Sequence, residues 1–398
     1  MHSIERINSW LIAVLLFSLP ITTAFANIVT VTILILWIFH AKFKEHFLKI
    51  KSNKVALGSL IFFSIHIVGL LWSDDLYSGL EVVRKNWKFL MIPIFMIYVR
   101  KEHISIYLNA FLLSILLSEF LSYLVWLDII QPIFKASHHN PTIFMSHVVY
   151  NIFLSIAIYI VAARIIFDKK KSNTIVVLLS VFLLTMILNM FITAGRTGQL
   201  VFFIVIFILA AQFYKKSILK FLGVSVLISS TIFVSAYSFS PIFKERINAA
   251  VDNIATYETN QFTSIGLRMS FVVYGIEIFL DNPLFGLGTG DLESNMEKAY
   301  LKNTPKEMAV DNPHINNPHN YHIMVMAQLG LFGLLIFYWF FYNQIKCSFK
   351  LENKELSRLG FAIPVVFLVA NLGESYLFLH ATSLFFSVIS AVIFSNQK

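Results

Sequence analysis

The chain has 398 residues, 57% hydrophobic and 13% charged, whereas soluble domains average about 45–50% apolar and about 25% charged. With 40 Phe and a mean hydropathy of +0.73, a water-soluble globule is excluded. The net charge of +9 comes without the basic, Gly-rich or RNA-type tracts of a nucleic-acid binder, so it is assigned to loops at a membrane surface.

Each crossing of the hydrocarbon core takes about 20 apolar residues. Stepping along the chain predicts twelve such helices, near 9–25, 27–40, 55–72, 87–99, 104–127, 143–166, 174–194, 197–213, 217–239, 320–345, 358–376 and 378–394. The expected fold is an all-α polytopic membrane protein with about 12 transmembrane helices, a single integral membrane domain over 1–398. The first two are tightly spaced, with Pro20 inside and Asn27 between them. Ala24 and Ala26 make an A-x-A-like site, but the stretch before them lacks the charged start of a signal peptide, so two spans are read there. With the N-terminus cytoplasmic, twenty Lys and Arg fall inside and eleven outside, which predicts both termini in the cytoplasm. The large loop 240–319, between the ninth and tenth helices, is then periplasmic. Its core, 271–290, starts like an amphipathic helix lying along the membrane surface and ends in a Gly-rich turn. Cys347 is a lone thiol and forms no intramolecular disulfide.

Several polar residues stand where a membrane tolerates them at a cost. Arg196, in AGRTGQ, meets the outer interface between Gly195 and Gly198, which permit a tight turn or broken helix whose N–H groups face an anion. Arg268 precedes the amphipathic stretch, and two guanidiniums from separate segments would grip a diphosphate with bidentate forks. The run DNPHINNPHNYH brings His314, His319 and His322 to the start of the tenth helix. Its spacing, with Asp311 nearby, matches no well-specified zinc pattern and lacks cysteine, so no metal is expected. His319, following Pro318 at a helix start, sits where a near-neutral imidazole suits proton transfer. Glu119 and Glu374 fall within apolar runs, and each requires a partner or a polar pocket, Glu374 on the side where the Arg and His residues gather. GLGTGD at 286–291 lacks the strand and βαβ unit of a dinucleotide loop.

These residues resemble the O-antigen ligase family, membrane glycosyltransferases that join polyprenyl-linked polysaccharide to lipid A-core. The family pattern of His, Asn/Ser/Gln, nine residues, Gly, two residues and Gly/Thr/Tyr is met by His319, Asn320, Gly330 and Gly333. An Arg-x3-Leu element is met by Arg196 and Leu200, NPLFGLGTG resembles the family's turn in its large periplasmic loop, and Arg268 falls where its second functional Arg is expected. O-antigen polymerases and protein O-oligosaccharyltransferases share the broader domain. The polymerases carry Arg-x10-Gly elements, but the eleventh residue after Arg196, Arg246 and Arg268 is Phe207, Tyr257 and Phe279. The protein-directed enzymes continue into a long soluble tail, which is not expected here. The resemblance implies a metal- and cofactor-independent inverting ligase of the bacterial inner membrane that acts in lipopolysaccharide biosynthesis. It would move O-antigen from undecaprenyl diphosphate to lipid A-core at the periplasmic face, in contact with membrane lipids. Arg196, Arg268 and His319 would be catalytic, with Asn320 and Glu374 binding substrate. A polymerase using the same donor, and a flippase for polyprenyl-linked sugars, are the rival readings.

Overall fold

The computed structural model describes residues 2–134, 136–137, 139–257, 261–304, 315 and 317–395. Among them, in chain order, lie α1 (His2–Ser18), α2 (Thr23–His40), α3 (Phe43–Lys51), α4 (Lys54–Val68), α5 (Leu76–Lys85), α6 (Lys88–Tyr98), α7 (Ile104–Trp126), α8 (His147–Phe167) and α9 (Asn173–Ile192). They continue as α10 (Arg196–Phe213), α11 (Ile218–Phe239), α12 (Pro241–Ala255), α13 (Ser264–Asp281), α14 (Leu292–Asn303), α15 (Tyr321–Ser348), α16 (Lys354–Ala370) and α17 (His380–Phe394). The protein is an all-helical polytopic membrane protein, and each of the twelve apolar segments overlaps a helix.

Among the described residues, eight helical stretches are long and apolar enough to cross a membrane: α2, α4 with its 3-10 extension to Trp72, α7 with its 3-10 start at Lys101, α8, α9, α10, α11 and α15. The other four expected crossings fall on the shorter helices α1, α6, α16 and α17. Two boundaries move. The first break comes at residues 19–22, around Pro20, leaving Asn27 inside α2. The eleventh segment stops at Ala370 rather than running to 376. There the side chain of Asn371 donates to Phe367 O and accepts from Leu377 N, so its amide competes with helical pairing and turns the chain.

The chain divides into two compact units, each discontinuous in sequence. The first comprises residues 1–42, 98–249 and 348–366. At its centre is α8, buried from Tyr150 to Ala163 and packed against α9 and α10. By contrast α11 buries only Ser225 and Ala236, so its apolar side chains face outward, as suits a helix in lipid.

The second unit comprises residues 43–97, 250–347 and 367–398. Its core is rich in Phe. Phe62 meets Phe89 edge-on at 5.0 Å, Phe340 meets Phe386 at 6.1 Å, and Phe386 meets Phe367 at 4.8 Å. Such pairs add about 0.5–1.5 kcal/mol each beyond burial.

α15 is broken at Gly330, whose φ of 63° and ψ of −161° only glycine adopts readily. The break frees the carbonyls of Ala327 and Gln328, which accept from Leu287 N at 3.0 Å and Gly288 N at 2.9 Å. On the far side of the break, Leu331 N donates to Pro283 O at 2.8 Å. The same Gly-rich turn reaches α4, where Thr289 Oγ1 donates to His66 O at 2.7 Å and Thr289 N to Gly69 O at 3.2 Å. Asp291 then accepts from Asp75 N at 2.8 Å, Asp74 N at 3.0 Å and Ser73 Oγ at 3.2 Å. GLGTGD is thus a clamp that pairs with interrupted helices.

Candidate active site

The helix expected from residue 271 begins earlier, at Ser264, where Thr263 Oγ1 accepts from Gly266 N and caps it. Gly266, Ser270, Tyr274 and Ile278 form its buried stripe at fourfold spacing, and Gly275 brings it against Ile323 of α15. Arg268 and Phe271, three residues apart and so on one face of α13, both meet the site around His319.

His319 has a left-handed φ of 51°, uncommon for a residue with a side chain. The sequence Asn317-Pro318-His319 accounts for it: Asn317 Oδ1 accepts from His319 N at 2.9 Å, an Asx-type turn closed over the proline. Asn317 also donates through Nδ2 to Glu374 Oε1 at 3.1 Å, and its Oδ1 accepts from Ser375 Oγ at 2.7 Å. The imidazole stacks on the Phe271 ring at 6.2 Å and 18°.

Glu374, in the connection between α16 and α17, joins these groups. Its Oε2 lies 2.6 Å from His319 Nδ1 and 3.5 Å from an Arg268 guanidinium nitrogen, and its Oε1 accepts from Ser375 N at 2.9 Å. Its side chain is only 6% exposed, whereas those of His319 and Arg268 are 37% and 32% exposed. Burial opposes charge on Glu374. The His319 hydrogen bond, the charges of His319 and Arg268 and the Ser375 amide outweigh it, holding the carboxyl below the usual carboxylate range. An ionised carboxylate only accepts, so the shared proton belongs to Nδ1. With Nδ1 carrying that proton, Nε2 is the ring nitrogen at which the imidazole takes up or gives up a second one. Arg268, with five N–H donors, keeps several beyond the one turned to Glu374.

Arg268, His319 and Glu374 therefore come together in the second unit. Arg196 belongs to the first unit, at the start of α10. Its flanking glycines serve close packing. A Cβ at Gly198 would lie 2.2 Å from Asn151 Cβ of α8, and one at Gly195 would lie 2.6 Å from Asn151 Nδ2. Asn151 in turn donates to Gly195 O and accepts from Thr193 Oγ1, while Ser155 donates to Gly198 O.

Asn320, expected to bind substrate, makes one local hydrogen bond from each end of its amide. Its Oδ1 accepts from Ile323 N at 3.1 Å as a cap of α15, and its Nδ2 donates to Leu372 O at 3.2 Å. His322 is buried between Tyr338 Oη and Leu368 O, both at 2.9 Å, and is structural. His314 and Asp311 lie outside the described residues. Glu119 is buried within α7 of the first unit. Asn317, Ser375 and Phe271 were not singled out in the sequence. The Asn-Pro pair before the histidine is a turn signal that points to Asn317, whereas Phe271 is one of 40 Phe and carries no such signal.

Residues 181–338 match the model of a family described as O-antigen ligase. The O-antigen ligase of Escherichia coli K12 is 24% identical over 237 residues, 59% of this chain and 54% of that protein. These matches support an O-antigen ligase family assignment. A candidate polysaccharide ligase of Rickettsia conorii is 25% identical over 217 residues, 52% of this chain and 47% of that one. The chain thus spans about half the length of the curated relatives it matches. The matched stretch runs from within α9 to within α15, so it contains Arg196, Arg268 and His319 but not Glu374.

Proposed function

We propose that this protein is an inner-membrane glycosyltransferase that moves a glycan from undecaprenyl diphosphate to a sugar hydroxyl of lipid A-core at the periplasmic face, both termini being cytoplasmic. The observation that carries this reading is the hydrogen bond from His319 Nδ1 to the buried, ionised Glu374, with Arg268 on the same carboxylate oxygen. Nε2 takes the proton of the acceptor hydroxyl. The hydroxyl oxygen attacks the anomeric carbon, and the bond from that carbon to the diphosphate oxygen breaks. Its electron pair leaves with the diphosphate, where the Arg268 guanidinium offsets the developing charge. Direct displacement inverts the anomeric centre and calls on no metal or cofactor. Arg196 is a second phosphate ligand in this proposal, a role resting on the family resemblance.

The test is transfer by the purified protein in nanodiscs, from a labelled lipid-linked donor, with lipid A-core or a second lipid-linked glycan offered as acceptor. Transfer to lipid A-core, undiminished by a chelator and lost in His319→Ala, is the expected result. Transfer only to the lipid-linked glycan would replace the ligase reading with a polymerase. Donor crossing the bilayer without transfer would replace it with a flippase.

A further inference from the structure

A second polar site lies in the first unit, where four helix ends meet: the last residues of α8 and α10, the start of α11 and the first turns of α16. Between them is a cavity of about 580 Å³ lined by Lys215, Lys216, Lys220 and Arg358, with no carboxylate in its lining. The three lysines are exposed, and among the described residues none of the four cations forms an ion pair. The nearest carboxylates are engaged elsewhere: Glu355 with Arg164 at 2.7 Å, and Asp168 with Lys171. Arg358 is held in place from below, its guanidinium stacked 4.4 Å over the Phe167 ring and its carbonyl accepting from Gln212 Nε2 at 3.1 Å. Three exposed lysines beside Arg358, in a concavity with no carboxylate in its lining, make a site for an anion.

The surroundings specify which kind. The cavity sits where the apolar spans of α10 and α11 end, with Tyr214 in its wall as an interfacial aromatic. Beside it Phe213, Ile218 and Leu219 are 55%, 70% and 82% exposed, leading onto the outward-facing length of α11. A soluble anion makes no use of that apolar path, whereas acyl chains do. We propose that this cavity binds the phosphate headgroup of an anionic phospholipid, with its acyl chains along α11.

The test uses the full chain in detergent, titrated with phosphatidylglycerol, phosphatidylcholine or inorganic phosphate and read by native mass spectrometry and thermal melting. Saturable binding and stabilisation by phosphatidylglycerol, with little from the other two, is expected. Removing Lys215, Lys216 and Lys220 together as Gln should weaken it at least about tenfold, since each basic group near a lipid phosphate contributes several-fold in affinity. Arg358→Gln should act in the same direction. Replacing the exposed Lys44, Lys51 and Lys54 by Gln removes equal charge elsewhere and should change affinity less than about twofold by the same reasoning. Equal losses in the two triple variants would overturn the proposal in favour of diffuse attraction. Equal binding of phosphatidylcholine would overturn the headgroup assignment. Inorganic phosphate binding as tightly as the lipid would overturn the lipid in favour of a soluble anion.

Discussion

Replacing Glu374 with Gln isolates the carboxylate from its shape. The variant keeps a group able to meet Asn317 and Ser375, but it removes the charge facing both His319 Nδ1 and Arg268. An amide turned with its NH2 toward Nδ1 favours the tautomer with the proton on Nε2, which cannot accept a hydroxyl proton. A positioned general base contributes about 10²–10⁴-fold, so mis-set tautomers should lower kcat about 10²–10³-fold, or about 3–4 kcal/mol. KM for the donor should change less than about threefold, because the loss falls on the transition state. Single-turnover transfer with labelled donor and lipid A-core would measure both. If His319 and Glu374 act as a unit, combining Glu374→Gln with His319→Ala costs no more than His319→Ala alone. Additive losses, or a Glu374→Gln variant retaining a third of wild-type kcat, would refute the coupling. The carboxyl also links the site to pH. Its folded-state value lies below the ordinary 4.5, so its stabilising contribution is complete above that pH and lost as pH falls through the folded value. Acid melts of Glu374→Gln should show a weaker pH dependence than wild type in that window.

Gly330→Ala forces a Cβ to 2.4 Å from Leu284 O in a conformation foreign to alanine, and should cost at least about 3 kcal/mol in melting experiments. Its control, Gly223→Ala in α11, meets nothing within 4 Å and should stabilise by up to about 1 kcal/mol. Gly198→Ala should displace α10 from Asn151 and abolish transfer while Arg196 itself is intact, and transfer at wild-type rate would show that the close approach is dispensable. Arg268→Ala should reduce transfer severely, with Lys restoring little, because an ammonium cannot present the planar fork to a diphosphate. A fully active Arg268→Ala variant at normal membrane levels would remove Arg268 from the chemistry.

The helical segments were legible because satisfying backbone groups in lipid demands long apolar runs, and such runs show in any window. Their ends were less so. Leu372 and Tyr376 continue the apolar pattern past Ala370, and only the paired amide of Asn371 reveals the turn that carries Glu374 out of the helix. His319 and Arg268 stood out as polar groups beside apolar segments. Their meeting at a carboxylate 55 residues from the histidine did not, because no periodicity links separate elements. Asn320 shows the converse ambiguity, since an asparagine beside a candidate base reads equally as a ligand or a cap, and only its partners show that it caps α15.

The interruption at Gly330 bears on how the protein is made. In the folded chain the break at Gly330 leaves the carbonyls of Ala327 and Gln328 without helical partners, and in hydrocarbon each would cost several kcal/mol were residues 287 and 288 not there to pair with them. The turn leaves the ribosome before α15 does, so its donors are already available when that helix is released into lipid. The broken form of α15, which begins just after His319, is therefore stable in lipid only in company with the Gly-rich turn that precedes it.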